Sequence, residues 1–183
     1  SRGYNIYRLP NALSLNDKYL KDKSTRHIAV DVANSFALLN PNGDLVGTEK
    51  ALRPVLDKYR WHVVCGQPPT DLRAMLREYN LFLFFGHGAA IDFLGHLKFR
   101  TSLWRSTMIL MGCSSGALRH SIDSPSDIPV VCYLVAGSPA ILANLWDVTD
   151  AEIDRFSLSL LNSWSCRVEK TQMIEFDMSA SVR

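Results

Sequence analysis

The sequence predicts an α/β fold with a mostly parallel sheet flanked by helices, and three observations predict it. Short runs that are apolar throughout, such as residues 81–85 and 107–111, recur along the chain. Strands without polar alternation are buried on both faces, which is the habit of parallel sheets. Segments of helical spacing alternate with these runs, supplying the crossovers that parallel strands need. The most unusual loops, after Phe85, Met111 and Trp146, each follow a strand. In open sheets of this kind ligands bind beyond the carboxyl ends of the strands.

Taken in order, a polar lead-in precedes strands at 28–32 and 36–39. Pro41-Asn42-Gly43-Asp44 is a turn, because Gly and Asn tolerate the backbone angles of a tight reversal. A helix is expected over 48–59, interrupted near Pro54, whose ring removes a backbone donor and crowds the preceding turn. Residues 61–65 form a short apolar strand closed by Gly66-Gln67-Pro68-Pro69. Thr70 is placed as the N-cap of a helix over 71–79, with Leu72, Met75, Leu76 and Tyr79 at helical spacing.

Strand 81–85 then opens into Gly86-His87-Gly88, and strand 107–111 runs into Gly112-Cys113-Ser114-Ser115-Gly116. Residues 130–136 read as a helix ended by Gly137 and Pro139. A strand over 140–146 leads to the last helix, where Thr149 and Glu152 form a capping box. Its apolar stripe is Ile153, Phe156, Leu160 and Trp164. The expected organisation is a lead-in over 1–27, one domain over 28–164, and a tail over 165–183 to which the sequence assigns no structure.

Composition narrows the classes. The chain of 183 residues is 47% hydrophobic and 21% charged, enough for one domain with a sizeable core. Its apolar runs are too short to span a bilayer, so no membrane partner is expected. The 20 basic and 18 acidic residues nearly cancel. No basic stripe offers a nucleic-acid footprint, so no direct nucleic-acid binding is expected. Cys65, Cys113, Cys132 and Cys166 lie far apart without a CxxC pair. They read as reduced thiols of a nuclear or cytosolic protein, not as metal ligands or a disulfide framework. No initiator Met stands at position 1, which reads as a processed or cloned fragment.

The chemistry centres on Cys113 and His87. A thiol attacks a carbonyl as thiolate, and a nearby imidazole can take its proton and pass it to the leaving amine. Both residues sit at strand ends between glycines, where the backbone can turn sharply and a substrate chain can approach. The Gly88 and Cys113 amides are then candidate oxyanion donors. Taken singly, a Cys after an apolar strand is more often a small core hydrophobe and a His a loop residue. The glycine-rich strand-end setting of both tips the balance. Cys65, Cys132 and Cys166 lack that setting and read as structural, while His27, His62, His96 and His120 show no comparable pairing. The acidic run from Asp147 to Asp154 has two even readings: helix capping, or a carboxylate that selects a basic substrate side chain.

Phe85-Gly86-His87-Gly88, Leu110-Met111-Gly112-Cys113-Ser114-Ser115-Gly116, Ala136-Gly137-Ser138-Pro139, Asn144-Leu145-Trp146-Asp147-Val148-Thr149-Asp150 and Ile153-Asp154-Arg155-Phe156 together resemble the separase protease domain. Asn40-Pro41-Asn42-Gly43-Asp44-Leu45 is similar to that family's early strand and turn. Order and spacing agree over about 38–164.

The resemblance implies a caspase-like (caspase–hemoglobinase) fold and a cysteine endopeptidase that cuts after Arg. It implies the kleisin subunit of cohesin as substrate, with release of sister chromatids at anaphase, and securin as an inhibitor lying along the cleft as a pseudosubstrate. His87 and Cys113 match the catalytic dyad, with Gly88 in the oxyanion hole. The substrate Arg would be held by Asp150, with Asp147 and Asp154 as rivals. No metal or organic cofactor is implied. Helical regions of a much larger protein are implied as further partners. The loop reads Gly88-Ala89-Ala90 where the family often has a further Gly. Glu152-Ile153-Asp154-Arg155 matches an acid-x-x-Arg cleavage pattern, but in an expected packed helix it reads as chance.

Other readings stand beside this one. A CHAT-type peptidase would share the dyad and a Leu-Trp-x-Val-x-Asp stretch with a different substrate. Cys113 to Arg119 fits the Cys-x5-Arg phosphate cradle of phosphatases, although Gly112 stands where such enzymes usually carry His. A non-catalytic domain that binds an inhibitor or scaffold is the third.

Overall fold

A computed structural model describes residues 27–94, 104–117, 128–171 and 173–177. Along the chain run β1 (His27–Asp31), β2 (Ser35–Leu39), α1 (Val46–Lys58), β3 (His62–Cys65), α2 (Leu72–Glu78), β4 (Leu81–Phe85), α3 (Ile91–Leu94), β5 (Thr107–Met111), α4 (Pro129–Val135), β6 (Ile141–Ala143), α5 (Asp150–Thr171) and β7 (Met173–Asp177). Five of the strands form one sheet in the order β3-β2-β4-β5-β6, and each neighbouring pair is parallel. β1 and β7 make a separate antiparallel pair, His27 facing Asp177 and Asp31 facing Met173.

Every position of β2, β4 and β5 is buried, which is why these strands lack a polar alternation. Successive side chains point to opposite faces, and the core divides accordingly. Ala37, Leu39, Leu83, Phe85, Ile109 and Met111 meet Leu52 and Leu56 of α1 and Ile153, Leu161 and Trp164 of α5. On the other face Phe36, Leu38, Phe82, Phe84, Met108 and Leu110 meet Leu72 and Leu76 of α2 and Tyr133 of α4. Each buried Leu, Ile, Met or Phe among them contributes about 1.5–3 kcal/mol, so the two layers together clamp the central strands. The chain leaves β2 for the edge strand β3 and then crosses back to β4. The loops after β2 and β4 therefore diverge, and between them lies the crevice where sheets of this topology bind ligands.

Four expectations need correction. α1 is not interrupted at Pro54 but runs through it. Pro54 and Lys50, whose carbonyl loses its partner, are both exposed, so water can take that carbonyl. Buried Thr48, Leu52 and Leu56 hold the helix to the sheet. Asp71, not Thr70, caps α2, its carboxylate accepting from the Ala74 amide at 3.1 Å. β6 stops at Ala143, short of the expected 146. The next residues turn from the ladder to the loop after β5, with Gly116 N–H donating to the Asn144 carbonyl and Ser114 N–H to that of Trp146. The buried stripe of α5 is Ile153, Ser157, Leu161 and Trp164; Phe156 faces outward and Leu160 is half-buried. The capping box is present: Thr149 Oγ1 donates to Glu152 Oε2 at 2.8 Å, which holds the Glu152 carboxyl below its ordinary range.

Tyr133, fully buried in α4, donates its hydroxyl to the Ala89 carbonyl at 2.5 Å and so ties the helix to the loop after β4. Burial, then Cys132 and Asp92, push its ionisation upward, so the phenol remains a donor. Tyr133→Phe leaves that carbonyl without its donor. The expected loss is about 1–3 kcal/mol of unfolding free energy, read by urea denaturation.

Candidate active site

Phe85 and Met111 are partners at the last rung between β4 and β5. Two residues further along each strand come His87 and Cys113, so the ladder alone brings both to the same height on adjacent loops. The approach beyond the ladder is very close. A Cβ on Gly112 would lie 2.1 Å from the Gly88 carbonyl oxygen, 2.6 Å from that of Gly86 and 3.0 Å from the Gly88 nitrogen. Only a residue without a side chain fits there. Gly88 (φ +61°) and Ser114 (φ +50°) adopt left-handed backbone that bends both loops. Neither the Gly88 nor the Cys113 amide enters a backbone hydrogen bond among the described residues.

The loop after β5 is braced from below and from the side. Ser115, buried, donates its hydroxyl to the Leu110 carbonyl at 2.6 Å and accepts from the Asn144 amide at 3.1 Å. Asn144 Nδ2 donates to the Gly112 carbonyl at 3.0 Å. The truncation of β6 thus has a cause, since Asn144 is recruited to hold the turn that carries Cys113.

Cys113 and His87 are each hydrogen-bonded to an aspartate and not to each other. Cys113 Sγ, half-buried, donates to Asp147 Oδ1 at 3.1 Å, and Ser114 Oγ donates to the same oxygen. His87 Nε2 meets Asp44 Oδ2 at 2.9 Å, with both side chains about half exposed (50% and 58%).

The three rival carboxylates are separated. Asp147 stands at the thiol, Asp150 is exposed at the first position of α5, and Asp154 lies one turn later against α1. There Thr48 Oγ1 donates to Asp154 Oδ2 at 3.1 Å, while Asp154 Oδ1 is buried with no hydrogen-bond partner among the described residues. Burial, opposed by the Thr48 bond and reinforced by Asp150, pushes the Asp154 carboxyl above its ordinary range.

Other polar residues have structural uses. His62 Nδ1 meets the Tyr79 hydroxyl at 2.7 Å and packs edge-on to Phe36. Cys65 Sγ lies 3.0 Å from the Arg53 guanidinium, and Cys132 is buried. His96, Arg119 and His120 lie outside the described residues, as do the side chains of His27 and Cys166. No group of three or more His, Cys, Asp or Glu that could hold a metal ion occurs among the described residues.

Sequence reading missed Asp44, Asn40, Asn144 and Ser115. The turn at 41–44 was legible, but a turn is a complete explanation for its Asp, and nothing local says which residue such a carboxylate will face.

A mostly parallel sheet whose loops gather a His and a Cys at one end belongs to the caspase-like α/β class. The chain is a member of the separin protease domain family, whose model matches residues 2–153. It is 34% identical to the separin of Emericella nidulans over 89% of its length, 40% identical to that of Mus musculus over 74%, and 39% identical to that of Schizosaccharomyces pombe over 75%. It spans 8%, 6% and 8% of those proteins, respectively. Two solved structures of the Saccharomyces cerevisiae separase–securin complex match the fold. One has TM-score 0.65 and 31% identity over 74% of this chain and 10% of that one; the other has 0.63 and 32% over 72% and 9%.

Gly112→Ala drives a methyl group into backbone that cannot swing aside. Thermal unfolding should fall by several degrees, equivalent to about 1–3 kcal/mol. The rate at which iodoacetamide alkylates Cys113 should change with it, because the two loops must move apart.

Proposed function

We propose that this domain is a cysteine endopeptidase of the separase type that cuts after arginine. The observation that carries the reading is the common height of His87 and Cys113 on the β4 and β5 loops, forced by the Phe85–Met111 rung and the Gly112 contact. His87 takes the proton of Cys113, and the thiolate attacks the carbonyl that follows the substrate arginine. The unengaged amides of Gly88 and Cys113 receive the oxyanion, each worth about 3 kcal/mol in comparable sites. His87 then protonates the leaving amine, and water, deprotonated by the same ring, resolves the acyl-enzyme. Asp147 is exposed, so its carboxylate can turn to solvent and free the thiol when substrate arrives.

Asp154 is the carboxylate best suited to the arginine. Its buried Oδ1 has no partner among the described residues, and its ionisation is opposed by burial. A guanidinium that reached it would satisfy both defects at once. Asp150, exposed at the helix start, is better explained by the positive end of α5. The Glu152-Ile153-Asp154-Arg155 run lies within helix α5, where an extended cleavage conformation is not available.

The kleisin subunit of cohesin is the proposed substrate, and securin the proposed inhibitor, in the nucleus and cytoplasm. Support comes from the separin relatives and from the separase–securin identity of both solved neighbours. Because the chain spans so little of those proteins, their remaining regions are proposed as partners of this domain.

An arginine-directed acyloxymethyl ketone peptide, followed by mass mapping, tests the reading. Cys113 should be the modified residue, and His87→Ala should abolish the modification. Labelling that persists without His87, or that falls on another cysteine, would refute the dyad.

For the pocket, Asp154→Asn should weaken cleavage after arginine by roughly tenfold to a hundredfold through KM. Stability should move the other way. With the folded carboxyl titrating above its unfolded value, its stabilising contribution is lost as pH rises through that folded value. At pH 7 the Asn variant should therefore unfold at the same or a higher temperature.

A further inference from the structure

We propose that Asp44 is a positioning residue for His87, turning the dyad into a chain of three groups; the inference rests on the reading of His87 and Cys113 as base and nucleophile. Asp44 Oδ2 lies 2.9 Å from His87 Nε2. With Nε2–H donated to that carboxylate, Nδ1 is left as the free lone pair, so the contact selects the tautomer in which Nδ1 is the base. When the ring takes the proton of Cys113, it becomes a cation beside a carboxylate, and the attraction favours the thiolate–imidazolium pair over the neutral one.

Asp44 is not an incidental surface charge, because the loop that carries it is built to hold it in place. Asn40 is 3% exposed and adopts φ +51°. Its amide donates to the Phe85 carbonyl at 2.9 Å, two residues before His87. Its Oδ1 accepts from the Leu45 amide at 2.8 Å, its Nδ2 donates to Glu49 Oε2 at 2.8 Å, and its carbonyl accepts from Gly43 N–H at 3.1 Å. One buried residue, through its backbone and its side chain, thus fixes both ends of the turn that carries Asp44 and ties the turn to the strand that carries His87.

Nothing in the fold requires a carboxylate at 44. The residue is exposed, and it does not cap α1, whose N-cap is Leu45 without a side-chain bond. The pair also spans the divergence between the β2 and β4 loops, the place where the sheet topology opens its crevice. Among the described residues, the titratable groups on the loops and first helical turns after these strands are Asp44 and Glu49 after β2, Asp92 after β4, Cys113 after β5, and Asp147, Asp150 and Glu152 after β6. Glu49 is engaged by Asn40 and Asp147 by Cys113 and Ser114, leaving Asp44 as the carboxylate on the ring.

The test compares wild type, Asp44→Asn and Cys113→Ala in the complete gene product carrying this domain, with a fluorogenic arginine peptide as substrate. Asp44→Asn keeps the shape and removes the charge. Its kcat should fall about tenfold or more while KM stays within about twofold. The alkaline limb of the kcat/KM profile should move to lower pH, because the imidazolium loses its facing carboxylate. The limb position does not depend on the folded fraction, so even a variant that folds poorly shows whether the limb has moved. An unchanged kcat with an unmoved limb, alongside an inactive Cys113→Ala, overturns the role of Asp44 and leaves the dyad intact. Full activity in Cys113→Ala overturns the dyad and the inference together.

Discussion

The approach of Gly112 to the Gly86–Gly88 turn is the constraint from which the rest of the site follows. Two carbonyl oxygens and an amide nitrogen occupy the space a side chain would need. The two loops can therefore remain side by side after the β4–β5 ladder has ended, where strands normally splay. This contact keeps His87 and Cys113 on facing loops and leaves the Gly88 amide beside the turn that carries the thiol. Its geometry is not set by the loops alone. It is inherited from β4 and β5, which are buried at every position and cannot slip by one residue without turning each side chain to the wrong face.

A second layer of polar bonds surrounds this contact, and each member comes from a different strand end. Asn40 after β2 anchors to Phe85, Asn144 after β6 anchors to Gly112, and Ser115 ties the Cys113 turn back to Leu110. All three help to satisfy backbone donors or acceptors that a loop would otherwise leave unpaired. Packing of the sheet thus sets the height of His87 and Cys113, while amide and hydroxyl bonds set the loops that carry them.

What was legible in the sequence follows this division. Strand positions, the parallel sheet, the Thr149–Glu152 capping box and the two glycine-flanked chemical residues could be read because each has a local cause: burial on both faces, helix-end donors, backbone freedom. Pro54 misled because the penalty of a helical proline depends on whether its orphaned carbonyl meets water, which is a tertiary fact. The length of β6 misled because Leu145 and Trp146 look like strand residues, yet they are 55% and 70% exposed. Their backbone is pulled away by the Cys113 turn. The stripe of α5 shifted by one residue beside its expected line because Ser157, polar in sequence, is buried while Phe156 is not. Asp44 and Asn40 were read only as turn residues, since a partner from a distant strand leaves no trace in local spacing.

The carboxylates around the thiol pose a physical problem, because negative charge near a sulfur opposes its ionisation. Division by position resolves it. Asp147 accepts from both Cys113 and Ser114 and so engages the thiol's hydrogen. Asp44 meets the imidazole at Nε2, on the far side of the ring from the proposed base nitrogen Nδ1. Asp154 is set against α1, away from the thiol's own partners, and carries its charge against the cost of burial. In the proposed reaction, a substrate arginine would bring positive charge toward Asp154 and compete for Asp147. On that proposal the Cys113 thiol is released where the residue to be cut behind arrives. The carboxylates that flank the thiol would then take part in substrate selection.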